Sequence, residues 1–451
     1  MTSDDRRQQL IDLGPEALAD ALLQLAFHSK TAQTRIEQLL ATPEEHVRRF
    51  KSKISGLKRR KRFIGWRESA GFAVELQMLL QGLREGVDDP ITGMRLVARF
   101  YEADDTIFHM CDDSSGMIGD VFREDAQELF AAYASRCDDK RAVADLILRL
   151  MEDDGFGVRN SLVDVAAEFL PEEVIRSMIA TFQERADQET DGYGKRHHLH
   201  LIESLARQIK DPALYEKTRR AYWDELPVAA MIDIAQVYFE SGDVETAHAW
   251  IKKYPEDETF YAYERDKLLK EVYREQGDSE NLADLLLQNF ESDASIDTLQ
   301  ALLDVIGQDK KDEVIAEAVT RMKNSEGFRV SDSEFLIETG RIDEAERYLL
   351  ERAGQFNGNL YDSMLSLAKL VEPLNLHLAT TLIYRSLLLS ILERGYIKAY
   401  PHGVRYLKKL DKLAPAVPDW KGFDDHDAFK GQITQNHGRK RSFWSKYEAK
   451  K

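Results

Sequence analysis

Two cysteines in 451 residues, Cys111 and Cys137, exclude a disulfide framework and a four-thiolate zinc site. Proline is scarce at 11 residues and glycine modest at 25. A chain this short of breakers, and rich in Leu, Ala, Glu, Lys and Arg, is neither turn-dense all-β nor disordered. No apolar run reaches the roughly 20 residues that a bilayer requires. The longest, Ala379–Leu392, is interrupted by Arg385. The first ten residues, MTSDDRRQQL, carry no apolar signal core. A soluble cytoplasmic protein with no membrane partner is expected. Positive charge is in deficit as well: 80 acidic residues against 62 basic leave a net charge of −18. That argues against wholesale coating of nucleic acid, though not against a local basic site. A GxxxxGK[ST] phosphate loop, a GxSxG elbow and an HExxH helix are all missing. The glycines of Asp154-Gly155-Phe156-Gly157 do not complete a GxGxxG, because position 160 is Asn. No catalytic residue, resident metal or cofactor is therefore assigned, and the reading favours a non-enzymatic protein.

What is present is helical periodicity. Ala17, Leu18, Ala21, Leu22 and Leu25 fall at the spacing of an amphipathic helix. Thr42, Pro43 and Glu45 read as a capping box, and Leu170-Pro171-Glu172-Glu173 and Asp211-Pro212 as further helix starts. Runs of strict alternation are lacking, so almost no strand is expected. A weak repeat occupies the middle: an apolar helix, a Gly, a polar turn and a second helix. The glycines are Gly242, Gly277, Gly307 and Gly340, spaced by 35, 30 and 33 residues. That is the scale of tetratricopeptide-type helical hairpins, with a period of about 34. Gly suits the left-handed position after a helix, and Ala247 and Ala345 lie five residues beyond their glycines, where close helix contact favours a small side chain. The predicted fold is all-α: a helical-hairpin, tetratricopeptide-like α-solenoid with helical N- and C-terminal units. The expected segments are 1–187, 196–355 and 356–451, with an interruption at Gln188–Lys195.

Four features could carry chemistry. The acidic turn at 111–120 offers Asp112, Asp113, Ser114, Ser115 and Asp120 as candidate ligands for a hard cation or another small ligand. The plainer alternative is that Ser114 or Ser115 caps the next helix, with the acids favouring its dipole. A basic run lies between His46 and Arg67, with ten Lys or Arg and no acid. Those charges leave the rest of the chain at −28. Within it, Arg59, Arg60, Lys61, Arg62 and Trp66 are candidates for binding nucleic acid or a partner. Phe50, Ile54 and Leu57 fall at i, i+4, i+7, so the same run also reads as an amphipathic helix with one buried face. His197, His198 and His200 read as a solvated helix start rather than a zinc site. In the tail, Arg439, Lys440 and Arg441 form a second basic candidate site. His426-Asp427 suggests metal-dependent phosphohydrolases, but no Asp follows Asp427 to complete that chemistry.

Some of these stretches resemble a bacterial family of uncharacterised helical proteins. They are Arg62-Phe63…Trp66 with Cys111-Asp112-Asp113-Ser114-Ser115-Gly116, Tyr400-Pro401-His402-Gly403-Val404-Arg405-Tyr406-Leu407, and His426-Asp427-Ala428-Phe429 with His437-Gly438-Arg439-Lys440-Arg441-Ser442-Phe443. The pattern is also similar to the C-terminal helical region of bacterial SWIM zinc-finger proteins. The Cys-x-Cys and Cys-x-His pairs of that finger are missing, so neither zinc nor finger-mediated DNA binding carries over. The resemblance implies a helical, repeat-like fold and a bacterial cytoplasmic setting. Altogether an interaction scaffold for a protein partner is expected, with nucleic-acid association or a ligand-dependent activity at the acidic turn as alternatives.

Overall fold

Short connections join helix to helix throughout the chain. A computed structural model describes residues 3–449 apart from positions 61, 191, 224, 256 and 257. Among the described residues the only extended pairing is one parallel bridge between Ile64 and Cys111. The fold is all-α and built from helical hairpins, in two compact units, Met1–Arg265 and Asp266–Lys451.

The first unit opens with α1 (Ser3–Asp12), α2 (Pro15–His28), α3 (Lys30–Leu39) and α4 (Pro43–Leu57). It continues with α5 (Trp66–Gly86), α6 (Pro90–Tyr101), α7 (Asp104–His109) and α8 (Met117–Asp120). A π-turn at Val121–Ala126 carries α8 on into α9 (Gln127–Arg136). Then come α10 (Lys140–Leu150), α11 (Asn160–Asp164), α12 (Glu172–Gln188), α13 (Gly192–Gln208), α14 (Pro212–Arg220), α15 (Val228–Glu240) and α16 (Val244–Ile251). Proline stands in the first turn of α2, α4, α6 and α14, where its missing N–H costs nothing. The Thr42–Glu45 capping box is present. One continuous core runs from Phe50 to Leu205. The helix at 15–28 forms as its period predicts, yet none of its residues is buried.

α17 (Ala262–Gln276) spans the division between units. The second unit holds α18 (Ser279–Ser292), α19 (Ile296–Ile306), α20 (Lys311–Asn324), α21 (Val330–Glu338), α22 (Ile342–Glu351) and α23 (Tyr361–Val371). It ends with α24 (His377–Arg394), α25 (Tyr400–Leu413), α26 (His426–His437) and α27 (Arg441–Glu448). Its core runs from Leu282 to Phe443. α24 is buried along most of its length, Arg385 included. The Arg385 guanidinium donates to the carbonyls of Asp424 (2.7 Å) and Asp425 (3.1 Å). It also lies over the rings of Trp420 (4.8 Å) and Phe429 (4.4 Å). Burial lowers its pKa to about 10, which leaves it charged at neutral pH.

The hairpins close in a common way. Gly242, Gly277, Gly307 and Gly340 all have positive φ, from 67° to 103°. After three of them the next N–H reaches back five residues: Asp243 to Tyr238 O (3.0 Å), Asp278 to Tyr273 O (2.9 Å) and Arg341 to Leu336 O (2.8 Å). This is the Schellman closure, which satisfies carbonyls that the helix end leaves open. The Asp243 and Asp278 side chains then cap the following helix through Thr246 N and Asn281 N. Ala247 and Ala345 are fully buried, as close helix contact requires. The same closure recurs where no glycine marks it. Lys210 has φ 54°, Asp211 N–H reaches Ala206 O (2.9 Å), and the Asp211 carboxylate caps α14 through Leu214 N. Asn375, at φ 59°, precedes α24. Left-handed residues thus recur at 210, 242, 277, 307, 340 and 375, which extends the period beyond the glycines at both ends.

A side chain with a Cβ is strained by about 1 kcal/mol in the left-handed region. Lys210 is exposed. Lys210→Gly is therefore expected to stabilise the first unit against urea and Gly242→Ala to destabilise it, each by about 1 kcal/mol of unfolding free energy. Shifts of the same sign would show that backbone strain does not govern these turns.

Candidate functional site

The basic run begins on α4, whose Phe50, Ile54 and Leu57 are buried as their spacing predicts. His46 is buried beside them, and Gly86 lies so close to its imidazole that a Cβ there would collide with the ring. The cations lie on the other side, and part of their charge is already engaged. Lys53 pairs with Glu75 (2.9 Å), Arg62 with Glu68 (2.6 Å) and Arg48 with Glu45 (3.7 Å). Arg49 donates to Glu37 O (2.8 Å) and Arg59 to Ser55 O (3.0 Å), while Arg60 lies over the Phe72 ring at 5.4 Å. Lys61 lies outside the described residues.

Beyond α4 the chain meets the acidic turn. Ile64 N–H donates to Met110 O (2.8 Å), and Asp112 N–H donates to Ile64 O (2.9 Å). Two candidate segments that lie some fifty residues apart are thereby brought together. Ile64 is 2% exposed, yet Phe63 is 58% and Trp66 61% exposed. Met117, at the head of α8, is 47% exposed. The backbone clamp fixes an aromatic ledge that the core does not use.

The turn itself is organised by its own carboxylates. Asp113 accepts from Ile118 N (2.9 Å) and Gly119 N (2.8 Å) and so caps α8. This corrects the expectation that Ser114 or Ser115 would be the cap. The left-handed Gly116 (φ 76°) swings the chain so that the earlier Asp113 side chain reaches the helix end. Ser114 N–H and Oγ both donate to Asp112 Oδ1, and these bonds hold the Asp112 carboxyl below its usual pKa. Asp120 pairs with Arg123 at 3.2 Å. Ser115 is exposed. Burial, with Asp113 and Asp112 nearby, pushes the Cys111 thiol up to about 11, so it stays protonated at neutral pH. Among the described residues no three His, Cys, Asp or Glu gather as a metal site. Below the turn, Tyr101 O–H donates to Phe122 O (2.8 Å) in the π-turn, and Asp104 and Arg159 form a buried ion pair at 2.7 Å.

The tail residues Arg439, Lys440 and Arg441 belong to the second unit, at the turn from α26 into α27. That turn is tied down by Asp411, which accepts from His426 Nε2 (2.8 Å), Lys430 Nζ (2.9 Å) and Tyr447 O–H (2.7 Å). His426 is thus engaged in holding α26 against α25. A further correction concerns α13. His198 is buried and stacks on Phe182 at 6.1 Å, and burial lowers the pKa of both His197 and His198. The helix start is solvated at Tyr193, Lys195, Arg196 and His200, but not at His198, which shares the inward face with Leu199, Leu201 and Ile202.

Sequence reasoning missed one polar cluster. Glu203 on α13 is buried, with Oε2 3.2 Å from Arg219 on α14, and Oε1 has no partner. Arg219 also reaches Asp233 on α15 (2.7 Å) and the Tyr215 hydroxyl (2.7 Å). A lone Glu within an apolar helical face was the available signal. Burial raises Glu203 from 4.5 to about 7, despite the opposing pull of Arg219. A raised folded-state pKa means that the fold holds this proton more tightly than the unfolded chain does. The contribution is complete below pH 4.5 and is lost as pH rises through about 7. Thermal melts at pH 5 and pH 8 should therefore differ less in Glu203→Gln than in the parent protein. An unchanged difference would assign the pH dependence elsewhere.

No curated protein matches the chain. The solved structure of Naa15/Naa10 bound to HypK-THB is similar at 14% identity and a TM-score of 0.31, over 83% of this chain. The chain spans 64% of the length of that neighbour. A family of unknown function, DUF6880, matches along two consecutive segments, residues 6–224 and 224–446. The chain, matched over nearly its whole length, belongs to the family of unknown function DUF6880.

Proposed function

We propose that the chain is a non-enzymatic scaffold that binds a protein through the aromatic ledge at the Ile64–Cys111 bridge. One observation carries this reading. Phe63 and Trp66 stand open to solvent on either side of a residue that is buried and clamped by two backbone hydrogen bonds. Aromatic side chains and arginine dominate binding free energy at protein interfaces. A clamped backbone loses little freedom when a partner arrives. The partner that fits is a protein surface offering apolar groups and carboxylates to Phe63, Trp66, Arg59, Arg60 and Arg62. The ion pairs and caps of the acidic turn make it a support for the ledge, with Asp112, Asp113, Ser114, Ser115 and Asp120 positioned to set the partner's register. The bacterial cytoplasmic setting, the kinship with SWIM proteins and the division at 1–187, 196–355 and 356–451 belong with this proposal.

A second reading is nucleic-acid association through Arg59–Arg62 and Arg439–Arg441. It is favoured by the exposed rings set among arginines, since such rings stack on bases. The two readings separate in one experiment. Tagged parent protein, Trp66→Ala and the charge-reversed R59E/R60E/K61E/R62E are used to pull partners from native lysate, with and without nuclease. The scaffold reading expects a near-stoichiometric protein that survives nuclease and loses at least tenfold in affinity on Trp66→Ala. The Trp66→Ala protein itself should stay within about 0.5 kcal/mol of parent stability, because the indole is exposed. Recovery of nuclease-sensitive material alone, abolished by charge reversal, would transfer the assignment to nucleic acid.

A further inference from the structure

The first unit leaves a second apolar surface open. On α2, Leu22 and Leu25 lie at i, i+3, and Leu23 and Phe27 at i, i+4, so the helix carries apolar side chains around much of its circumference. All four are exposed, Phe27 to 86%. Leu10, Ile11 and Leu13, before α2, are open as well. Scattered apolar residues on a surface need no explanation, but seven large ones exposed within residues 10–27 mark an interaction site. The arm is anchored at its base, where Arg49 on α4 donates to Glu37 O on α3, and α2 packs on α3.

Charge selects the occupant. Residues 1–28 hold five acids and two arginines, with no lysine. Such an arm is repelled by an anionic membrane surface. The aromatic ledge has the opposite character: it lies within a run of ten cations with no intervening acid and exposes Phe63 and Trp66. One chain thus carries two uncovered apolar surfaces of opposite charge, and neither covers the other in this structure.

We propose that two copies of the chain dock reciprocally, α2 of each copy lying on the aromatic ledge of the other. The proposal rests on the reading of the ledge as a protein-docking surface and names its occupant. The same contact, made twice about a two-fold axis, closes the assembly as a dimer and leaves no surface for further growth. Leu22, Leu25 and Phe27 supply the apolar contact with Phe63 and Trp66. Glu16 and Asp20 of α2 meet Arg59 and Arg62, which steers the encounter and makes the association salt-sensitive.

Sedimentation velocity over a concentration series tests this with the full chain. Two variants are used: Leu22→Glu with Leu25→Glu in the arm, and Phe63→Ala with Trp66→Ala in the ledge. All the substituted side chains are exposed, so circular dichroism and melting should match the parent. The parent is expected to be a dimer that weakens at least tenfold between about 0.1 and 0.5 M salt. Each variant alone should be monomeric. An equimolar mixture of the two should regain a dimer, because one intact arm then meets one intact ledge. A parent that stays monomeric at all concentrations overturns the proposal, and so does a variant that dimerises like the parent. Loss of dimer in both variants without recovery on mixing also overturns it, because that result means like surfaces pair with like. A monomeric parent whose lysate partner is still lost on Trp66→Ala would remove this inference and leave the ledge as a docking site for a different protein.

Discussion

A helix that must turn back on itself leaves carbonyls without donors, and the fold depends on how that deficit is met. At each repeat turn one residue enters the left-handed region. At four of them, after positions 210, 242, 277 and 340, the following N–H then reaches five residues back. That single hydrogen-bond pattern reverses the chain within two or three residues. It brings the second helix of each pair against the first, with Ala247 and Ala345 fully buried. The succession of hairpins from α13 to α24 follows from repeating it, while the core from Phe50 to Leu205 lies before the first of these turns.

The glycines made this legible in advance. A glycine at a helix end is visible because few other residues tolerate positive φ. Lys210 and Asn375 adopt the same backbone without the marker, so the repeat reads as shorter than it is. The apolar period likewise located α2 and α4, but periodicity reports only that a face is apolar, not what covers it. At α4 the covering surface is the protein's own core. At α2, although α3 packs on it, none of the residues is buried. His198 shows the reverse error, since a histidine-rich helix start reads as wet although one imidazole lies on the apolar stripe.

The candidate site depends on a contact that no local pattern announces. Ile64 and Cys111 are 47 positions apart, and a one-residue parallel bridge has no periodicity to detect. The acidic turn was visible as composition, but its function in the fold depends on which carboxylate meets which donor. Asp113, not a serine, caps α8 because Gly116 turns the chain beneath it. Likewise, the basic run was visible as ten charges, whereas the number left unpaired depends on Glu45, Glu68 and Glu75, which only folding brings near.

Arg385 has a consequence for how the second unit finds a unique arrangement. α24 is apolar on nearly every side, and a uniformly greasy cylinder can rotate about its axis at little cost. A guanidinium buried without acceptors is costly by several kcal/mol. Only one rotational setting presents it to the Asp424 and Asp425 carbonyls between the rings of Trp420 and Phe429. The one buried charge in this largely buried helix therefore serves as its key, admitting one orientation of α24 and fastening the 420–429 loop over it in the same contact.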